Sequence, residues 1–198
     1  MKTNLSALQG FLLILLTALL FSCKKDNMAD SGQIKRGKET YYWYNNKKIP
    51  LYYDNTVWSV KVNGNTEPKK ADFPSFENKI TQIGSLGNGF FRVDFTEPVD
   101  LRSVSGSILF AIPSVVKTKY EESTRVLLTG NLSLSLKENA DLEAITSKYE
   151  LTIIEKGAYS VLLQSKNPIN VIETANTIYE KEDVTWCEPE FFGKFTTF

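Results

Sequence analysis

The sequence predicts an α+β protein whose C-terminal part, residues 125–198, follows the strand, helix, strand, strand, helix, strand order of a ferredoxin-like domain. Three observations lead to this prediction. Short segments that alternate apolar and polar residues are typical of half-buried strands, and two longer segments carry apolar residues at helical spacing. Segments rich in asparagine, glycine and proline separate them, as turns do. Because this fold is common, it predicts no function by itself.

A change of periodicity marks the first elements of this part. Residues 132–136 alternate leucine with serine, as in a strand with one buried face. In residues 139–150 the apolar side chains recur at helical spacing, and Asn139 is the expected N-cap. A hairpin is predicted over residues 151–163, where two short apolar runs flank Lys156-Gly157-Ala158.

A second helix and a last strand complete the pattern. Asn167-Pro168 opens the helix, since proline is favoured in a first helical turn. The apolar stripe of this helix comprises Val171, Ile172, Ala175, Ile178 and Tyr179. The last strand is predicted over residues 184–192, and Pro189 suits a sheet edge or a strand end because proline cannot donate a ladder hydrogen bond.

The N-terminal α+β part, residues 39–118, begins with an aromatic segment. Residues 41–53 are rich in tyrosine and contain Trp43, and Asn45-Asn46 is a turn signal between two strands. This pattern predicts an aromatic β-hairpin. Its rings are suited to sugar stacking or peptide binding, but packing of the rings across strands on the core is the favoured interpretation.

Further elements are predicted in the same part. They are strands at 57–62, 89–95 and 108–116, the first followed by an Asn63-Gly64 turn, and helices at 73–83 and 98–104. The glycine-rich residues 84–89 lack the Lys-Ser/Thr pair of a P-loop, so they are predicted as a connecting loop.

The two parts of the chain share a proline pattern. Pro98 and Pro113 stand in contexts that parallel those of Pro168 and Pro189. We therefore state the hypothesis of a tandem pair of ferredoxin-like domains, joined by a polar junction at residues 117–124.

The first residues indicate export and membrane attachment. Residues 1–22 combine an early lysine with an apolar run, as in a signal peptide. A small residue before Cys23 resembles the lipobox of bacterial lipoproteins, which implies that Cys23 is acylated and anchors the protein. The polar, lysine-rich residues 23–38 are predicted to be a flexible tether.

Composition argues against several kinds of chemistry. The chain contains no histidine, so a Ser-His-Asp triad cannot be built from it, and we predict no enzymatic activity. With 2 cysteines in the chain, of which one is the expected lipidation site, no disulfide, Cys/His zinc site or cofactor is predicted. Its 23 basic and 23 acidic residues cancel, which argues against nucleic acid as a partner.

The remaining candidates are carboxylate groups and one cysteine. The acidic clusters are Asp141/Glu143, Glu188/Glu190 and Glu180/Glu182/Asp183. Such clusters could in principle serve glycoside hydrolysis, but we interpret them as surface residues, with Asp141 favoured by the dipole at a helix start. Cys187 is predicted to be a small buried residue of the last strand.

Four C-terminal segments carry a family resemblance. They are Tyr149-Glu150-Leu151-Thr152-Ile153-Ile154, Tyr159-Ser160-Val161-Leu162-Leu163, Ala175-Asn176-Thr177-Ile178-Tyr179-Glu180 and Trp186-Cys187-Glu188-Pro189-Glu190-Phe191. In this order and spacing they resemble the N-terminal propeptide of subtilisin-like serine peptidases. That family often has an Ala-Asn pair in its second helix and Glu-Pro-(Asp/Asn/Glu)-Phe at the end of its last strand.

The resemblance implies a mode of binding. In that family the propeptide sheet packs on two surface helices of the peptidase, and the segment after its last strand enters the active-site cleft. Glu188 and Glu190 would then cap the N-termini of those two helices. The residues expected to contact the peptidase are Glu188, Glu190, Phe191, Phe192, Phe195 and Phe198. This chain departs from the pattern in its short C-terminal tail and in Cys187, where alanine is more frequent.

The resulting prediction is a non-catalytic, lipid-anchored protein of the Gram-negative cell envelope, with the outer membrane as the expected location. It would bind a subtilisin-like peptidase in trans, as an inhibitor or folding chaperone, since no catalytic domain is expected after the last strand. Two alternatives stay open. The chain could be a truncated remnant of a secreted subtilisin-like peptidase precursor, or an envelope module that binds a peptide or glycan through residues 41–53.

Overall fold

The structure is a computed structural model that describes residues 37–102, 106–117 and 125–193. All of these belong to one compact unit. They form a mixed, strand-rich α+β fold with two antiparallel sheets and few helices. The predicted signal peptide, most of the tether and of the 117–124 junction, and the end of the tail lie outside the described residues.

The first sheet has six strands and is built around one long strand. They are β1 (Glu39–Tyr44), β2 (Lys47–Val62), β3 (Ile80–Gly87), β4 (Phe90–Phe95), β5 (Ile108–Val116) and β6 (Arg125–Val126). The strand order is β3-β4-β2-β5-β6, and β1 pairs with the beginning of β2. The long β2 thus contacts three other strands and organises the sheet.

The predicted aromatic hairpin is confirmed. Strands β1 and β2 are joined at Asn45-Asn46, whose φ angles are 47° and 60°. A two-residue hairpin turn of type I′ needs positive φ at both positions, and asparagine tolerates this conformation better than most residues.

The helix predicted at 73–83 is wrong. Short 3-10 turns occupy Lys70–Asp72 and Glu77–Lys79, and β3 begins at Ile80. The helical spacing was misleading because Phe73 is buried from a turn, whereas Ile80 is buried from a strand that pairs with β4. Residues 84–87, predicted as a loop, are also part of β3.

The tandem hypothesis is wrong as well. Residues 37–102 and 106–117, which form all but the last strand of the first sheet, contain no α-helix. Residues 98–102, where a helix was predicted, are also not helical. The order β3-β4-β2-β5-β6 also differs from that of the second sheet. The parallel positions of the prolines in the sequence therefore do not reflect a repeated fold: Pro98 lies in a loop, whereas Pro168 begins a 3-10 turn.

The second sheet contains the predicted C-terminal elements. Its strands are β7 (Leu128–Leu136), β8 (Leu151–Lys156), β9 (Val161–Ser165) and β10 (Val184–Phe191), in the order β10-β7-β9-β8 and all antiparallel. Helix α1 (Leu142–Lys148) lies between β7 and β8 along the chain. Helix α2 (Val171–Lys181) lies between β9 and β10, and a 3-10 turn at Pro168–Asn170 precedes it. Strand β10 ends one side of the sheet, so the edge position predicted from Pro189 is confirmed.

Three element boundaries in this part differ from the prediction. The N-cap of α1 is Asp141 and not Asn139, because the Asp141 carboxylate accepts hydrogen bonds from the backbone N–H groups of Glu143 and Ala144 at 2.9 and 3.0 Å. The helix ends before Glu150, which has a φ of 52°. Strand β9 begins at Val161, and Tyr159 lies in the preceding turn with 90% of its surface exposed.

The hydrophobic core connects the two sheets. One buried cluster combines residues of β7 to β10 and both helices with Tyr42, Leu51, Ile112 and Val115 of the first sheet. A second cluster, which includes Trp58 and Phe91, lies within the first sheet's part of the chain. The segments before and after residues 118–124 therefore share one core.

Candidate functional site

The second sheet has one covered and one open face. Helix residues such as Ile145 and Ile172 belong to the same core as Leu132, Leu134 and Leu163, so the helices cover the face on which these leucines lie. The opposite face carries the alternate residues of each strand. Asn131, Ser133, Ser135 and Leu162 there are half-buried, and Thr152, Ile154 and Gln164 are exposed. We call this surface the open face.

Glu188 lies on the open face and has no hydrogen-bond partner among the described residues. It stands opposite Ser133 in the sheet register. It is half-buried, and burial raises the pKa of its carboxyl group above the ordinary value. Together with burial, its charge raises the pKa of the neighbouring Tyr42 to about 12. A partly desolvated carboxylate without donors has a free-energy cost that a bound donor or cation would offset.

Glu190, the second predicted contact, is already satisfied. Its Oε2 atom accepts hydrogen bonds from Thr129 Oγ1 at 2.7 Å and from Asn131 Nδ2 at 2.9 Å. This carboxylate therefore ties β10 to β7. Of the two predicted carboxylates, Glu188 is the one available to a partner.

Two of the four predicted phenylalanine contacts lie in the described residues, and both pack within the protein. The Phe191 ring lies 5.7 Å from the Tyr42 ring, and the Phe192 ring lies 5.0 Å from that of Phe90 on β4. The Phe192 N–H also donates to the Leu127 carbonyl at 2.8 Å. Both rings thus pack on the first sheet's part of the protein, so they do not belong to a free tail. Phe195 and Phe198 lie outside the described residues, as does Cys23.

The aromatic hairpin packs on helix α2. Tyr41 Oη and Trp43 Nε1 both donate to Glu180 Oε1 at 2.9 Å, and Tyr53 Oη donates to Glu173 Oε1 at 3.0 Å. The Trp43 ring also lies 5.0 Å from that of Tyr179. These contacts agree with the interpretation that the aromatic rings pack within the protein, because Trp43 binds two side chains of α2.

Glu180, Glu182 and Asp141 of the predicted acidic clusters also have partners within the chain. Hydrogen bonds from Trp43 and Tyr41 hold the pKa of Glu180 below its ordinary value, and those from Lys148 and Tyr149 do the same for Glu182. Asp141 caps α1. These interactions explain the clusters as structural and capping residues.

A groove lies between the hairpin turn and β10, and we call it the tip groove. It measures about 370 Å³ and is lined by Trp43, Tyr44, Asn45, Asn46, Tyr179, Thr185, Trp186 and Glu188. No local sequence pattern indicates this groove, because its walls are more than a hundred residues apart in the chain. The indole of Trp186 is half-buried and makes no hydrogen bond or ring contact with the described residues.

Cys187 is buried as predicted, with 1% of its surface exposed. Burial raises the pKa of its thiol, so the thiolate needed for reactivity is scarce at neutral pH. Among the described residues, no group of three or more acidic or cysteine side chains is arranged to hold a metal ion. No helix in the described ranges has the length and apolar character to cross a membrane.

Comparison of this chain with protein-family models, with curated proteins and with solved structures found no match.

Proposed function

We propose that this chain is a non-catalytic, lipid-anchored envelope protein that binds a subtilisin-like serine peptidase in trans, as an inhibitor or folding chaperone. The proposal includes a ferredoxin-like fold for the second sheet and its helices. The order β10-β7-β9-β8, with α1 and α2 on one face, supports that assignment.

The open face is the observation that supports the proposal best. In the family that the sequence resembles, the propeptide sheet packs on two surface helices of the peptidase. The open face is the side of this sheet that α1 and α2 leave uncovered, and it combines polar residues with Ile154, which is 49% exposed. It also carries Glu188, which lacks a hydrogen-bond donor among the described residues. An N-terminus of a peptidase helix would supply the N–H groups that this carboxylate lacks.

The packing of Phe192 refines the proposal. Because Phe192 is held on Phe90, the segment that enters the cleft would begin at Gly193, which follows β10 and has a φ of +84°. The contacts of Phe191 and Phe192 would then orient the tail, and Phe195 or Phe198 would fill the specificity pocket of the peptidase.

The test is an inhibition assay with residues 24–198 and a subtilisin-like peptidase that cleaves a chromogenic peptide. We expect competitive inhibition. Deletion of residues 194–198, or Ile154→Glu on the open face, should weaken it by about tenfold or more, since a few central contacts dominate most interfaces. Gln82→Glu adds the same charge at an exposed position of β3 and should leave inhibition unchanged.

A refolding assay separates the two roles. A folding chaperone would increase the yield of active peptidase from denatured enzyme, whereas a pure inhibitor would not. Rapid degradation of the protein without inhibition or assisted refolding would overturn the proposal and favour the remnant of a peptidase precursor.

A further inference from the structure

The tip groove has the composition of a site for an organic cation. Its lining has four aromatic residues, of which two are tyrosines, together with two asparagines, one threonine and one glutamate, without a lysine or arginine. Aromatic ring faces carry partial negative charge and attract ammonium and guanidinium groups. Its volume of about 370 Å³ is in the range of small-ligand sites.

Two groups in the groove lack partners among the described residues. Glu188 accepts no hydrogen bond, and the Trp186 indole has neither a hydrogen bond nor a ring contact there. A cation seated between them would pair with the carboxylate and lie against a ring. The exposed Asn45 and Thr185 at the rim supply oxygen atoms for further N–H donors.

The same hairpin already binds a cation of its own in this manner. The Lys48 ammonium lies 4.2 Å from the centre of the Tyr41 ring and 5.0 Å from that of the Trp43 ring. It also lies 3.5 Å from Glu180 Oε1. The tip groove repeats this combination of rings and carboxylate with Trp186 and Glu188, but no cation of the described chain lines it.

We propose that the tip groove binds a guanidinium or ammonium group, with Glu188 as the counter-charge and Trp186 as the stacking surface. The inference does not depend on the peptidase-binding role, although both use Glu188: the groove adds Trp186 and the hairpin turn, and its test requires no peptidase. The group could belong to a free small molecule or to a basic side chain of a peptide, and both present the same chemistry to the groove.

The test measures binding to the full-length protein in detergent by calorimetry and tryptophan fluorescence. Agmatine represents the free cation, and a capped Ala-Arg-Ala peptide represents the side chain. Capped Ala-citrulline-Ala, which replaces the guanidinium by a neutral urea group, is the matched control ligand. We expect either cationic probe to bind about tenfold or more tightly than the neutral one. Tighter binding of the peptide than of agmatine would identify a basic side chain as the source of the cationic group. Tighter binding of agmatine would identify a free small molecule as the source.

Two of the variants limit the risk of folding defects, since Glu188→Gln is isosteric and Trp186→Phe retains an aromatic ring. Glu188→Gln should weaken cation binding by about tenfold, and Trp186→Ala should weaken it more than Trp186→Phe does. Glu143→Gln, which removes an exposed charge from α1, should leave it unchanged. Equal binding of the citrulline peptide, full binding by Glu188→Gln, or no binding of either cation would overturn the proposal.

Discussion

Asp54 and Arg125 form a buried ion pair between β2 and β6. Arg125 donates from Nη2 to Asp54 Oδ2 at 2.7 Å, and the Asp54 side chain is 0% exposed. Burial alone would raise the pKa of Asp54. Hydrogen bonds from Thr56 and Arg125 outweigh burial and hold that pKa below its ordinary value. The pair therefore stabilises the fold while Asp54 is ionised.

We predict that Asp54→Asn lowers the free energy of unfolding by about 3–5 kcal/mol, because it removes the fully buried charge of the Asp54–Arg125 ion pair. Since the folded-state pKa is lowered, this stabilisation is present above the unfolded pKa of about 3.9 and is lost as the pH falls through the folded pKa. Urea denaturation at pH 7 and at stepwise lower pH measures both effects, and the gap between wild type and variant should narrow on acidification.

Asp100→Asn is the matched control for this prediction. Asp100 also pairs with an arginine, Arg102, but the two side chains are 53% and 64% exposed. Exposed ion pairs contribute about 0–1 kcal/mol. Equal losses from the two variants would show that burial of the Asp54 pair has no energetic role.

At the scale of elements, Gly130 allows β7 to approach its neighbours. Its φ is +83°, and an added Cβ would lie 2.7 Å from Pro168 Cβ and 3.2 Å from Ile112 Cδ1. A strand residue with a side chain would therefore be strained and would also displace the turn that leads into α2. The close approach of β7, β5 and this turn depends on glycine.

Gly130→Ala is predicted to destabilise the protein more than Gly64→Ala. Gly64 has a similar φ of +80° but open space around its Cβ position, so its substitution costs about 1–2 kcal/mol of backbone strain. The steric clash at Gly130 should add about 1–3 kcal/mol. Thermal and urea denaturation of both variants provide the comparison, and equal destabilisation would contradict the packing argument.

At the scale of the whole molecule, the shared core predicts cooperative unfolding. Tyr42, Leu51, Ile112 and Val115 of the first sheet are buried in the same cluster as the second sheet and its helices. Separation of the two parts would expose this apolar surface to water at a cost of about 25 cal/mol per Å². Neither part is then expected to be stable alone.

Urea denaturation tests this expectation. Tryptophan fluorescence and far-ultraviolet circular dichroism should report one coincident transition for residues 37–193. A fragment of residues 125–193 should unfold at much lower urea or show no cooperative transition. Two separate transitions, or a fragment with the midpoint of the whole chain, would show that the second sheet folds independently.

Prediction from sequence succeeded where the signal was local. The Asn45-Asn46 turn and the C-terminal order of elements follow from turn chemistry and short-range periodicity. The edge position of Pro189 follows from its missing N–H. The candidate site was predicted only in part. Glu188 and Glu190 flank Pro189 in the sequence, which does not distinguish them. In the structure Glu190 accepts hydrogen bonds from Thr129 and Asn131 of β7, and Glu188 has no such donor among the described residues, because the pairing of β7 with β10 places these donors at Glu190.

The sequence by itself determined the hairpin, the two helices and the strands of the second sheet, because turn residues and apolar periodicity act over a few neighbouring residues. The tertiary structure alone decided that Ile80 lies in a strand, that Phe192 packs on Phe90, and that the walls of the tip groove meet. Each of these outcomes depends on contacts between distant segments, whose free energy comes from burial and strand pairing and is not encoded in any local pattern.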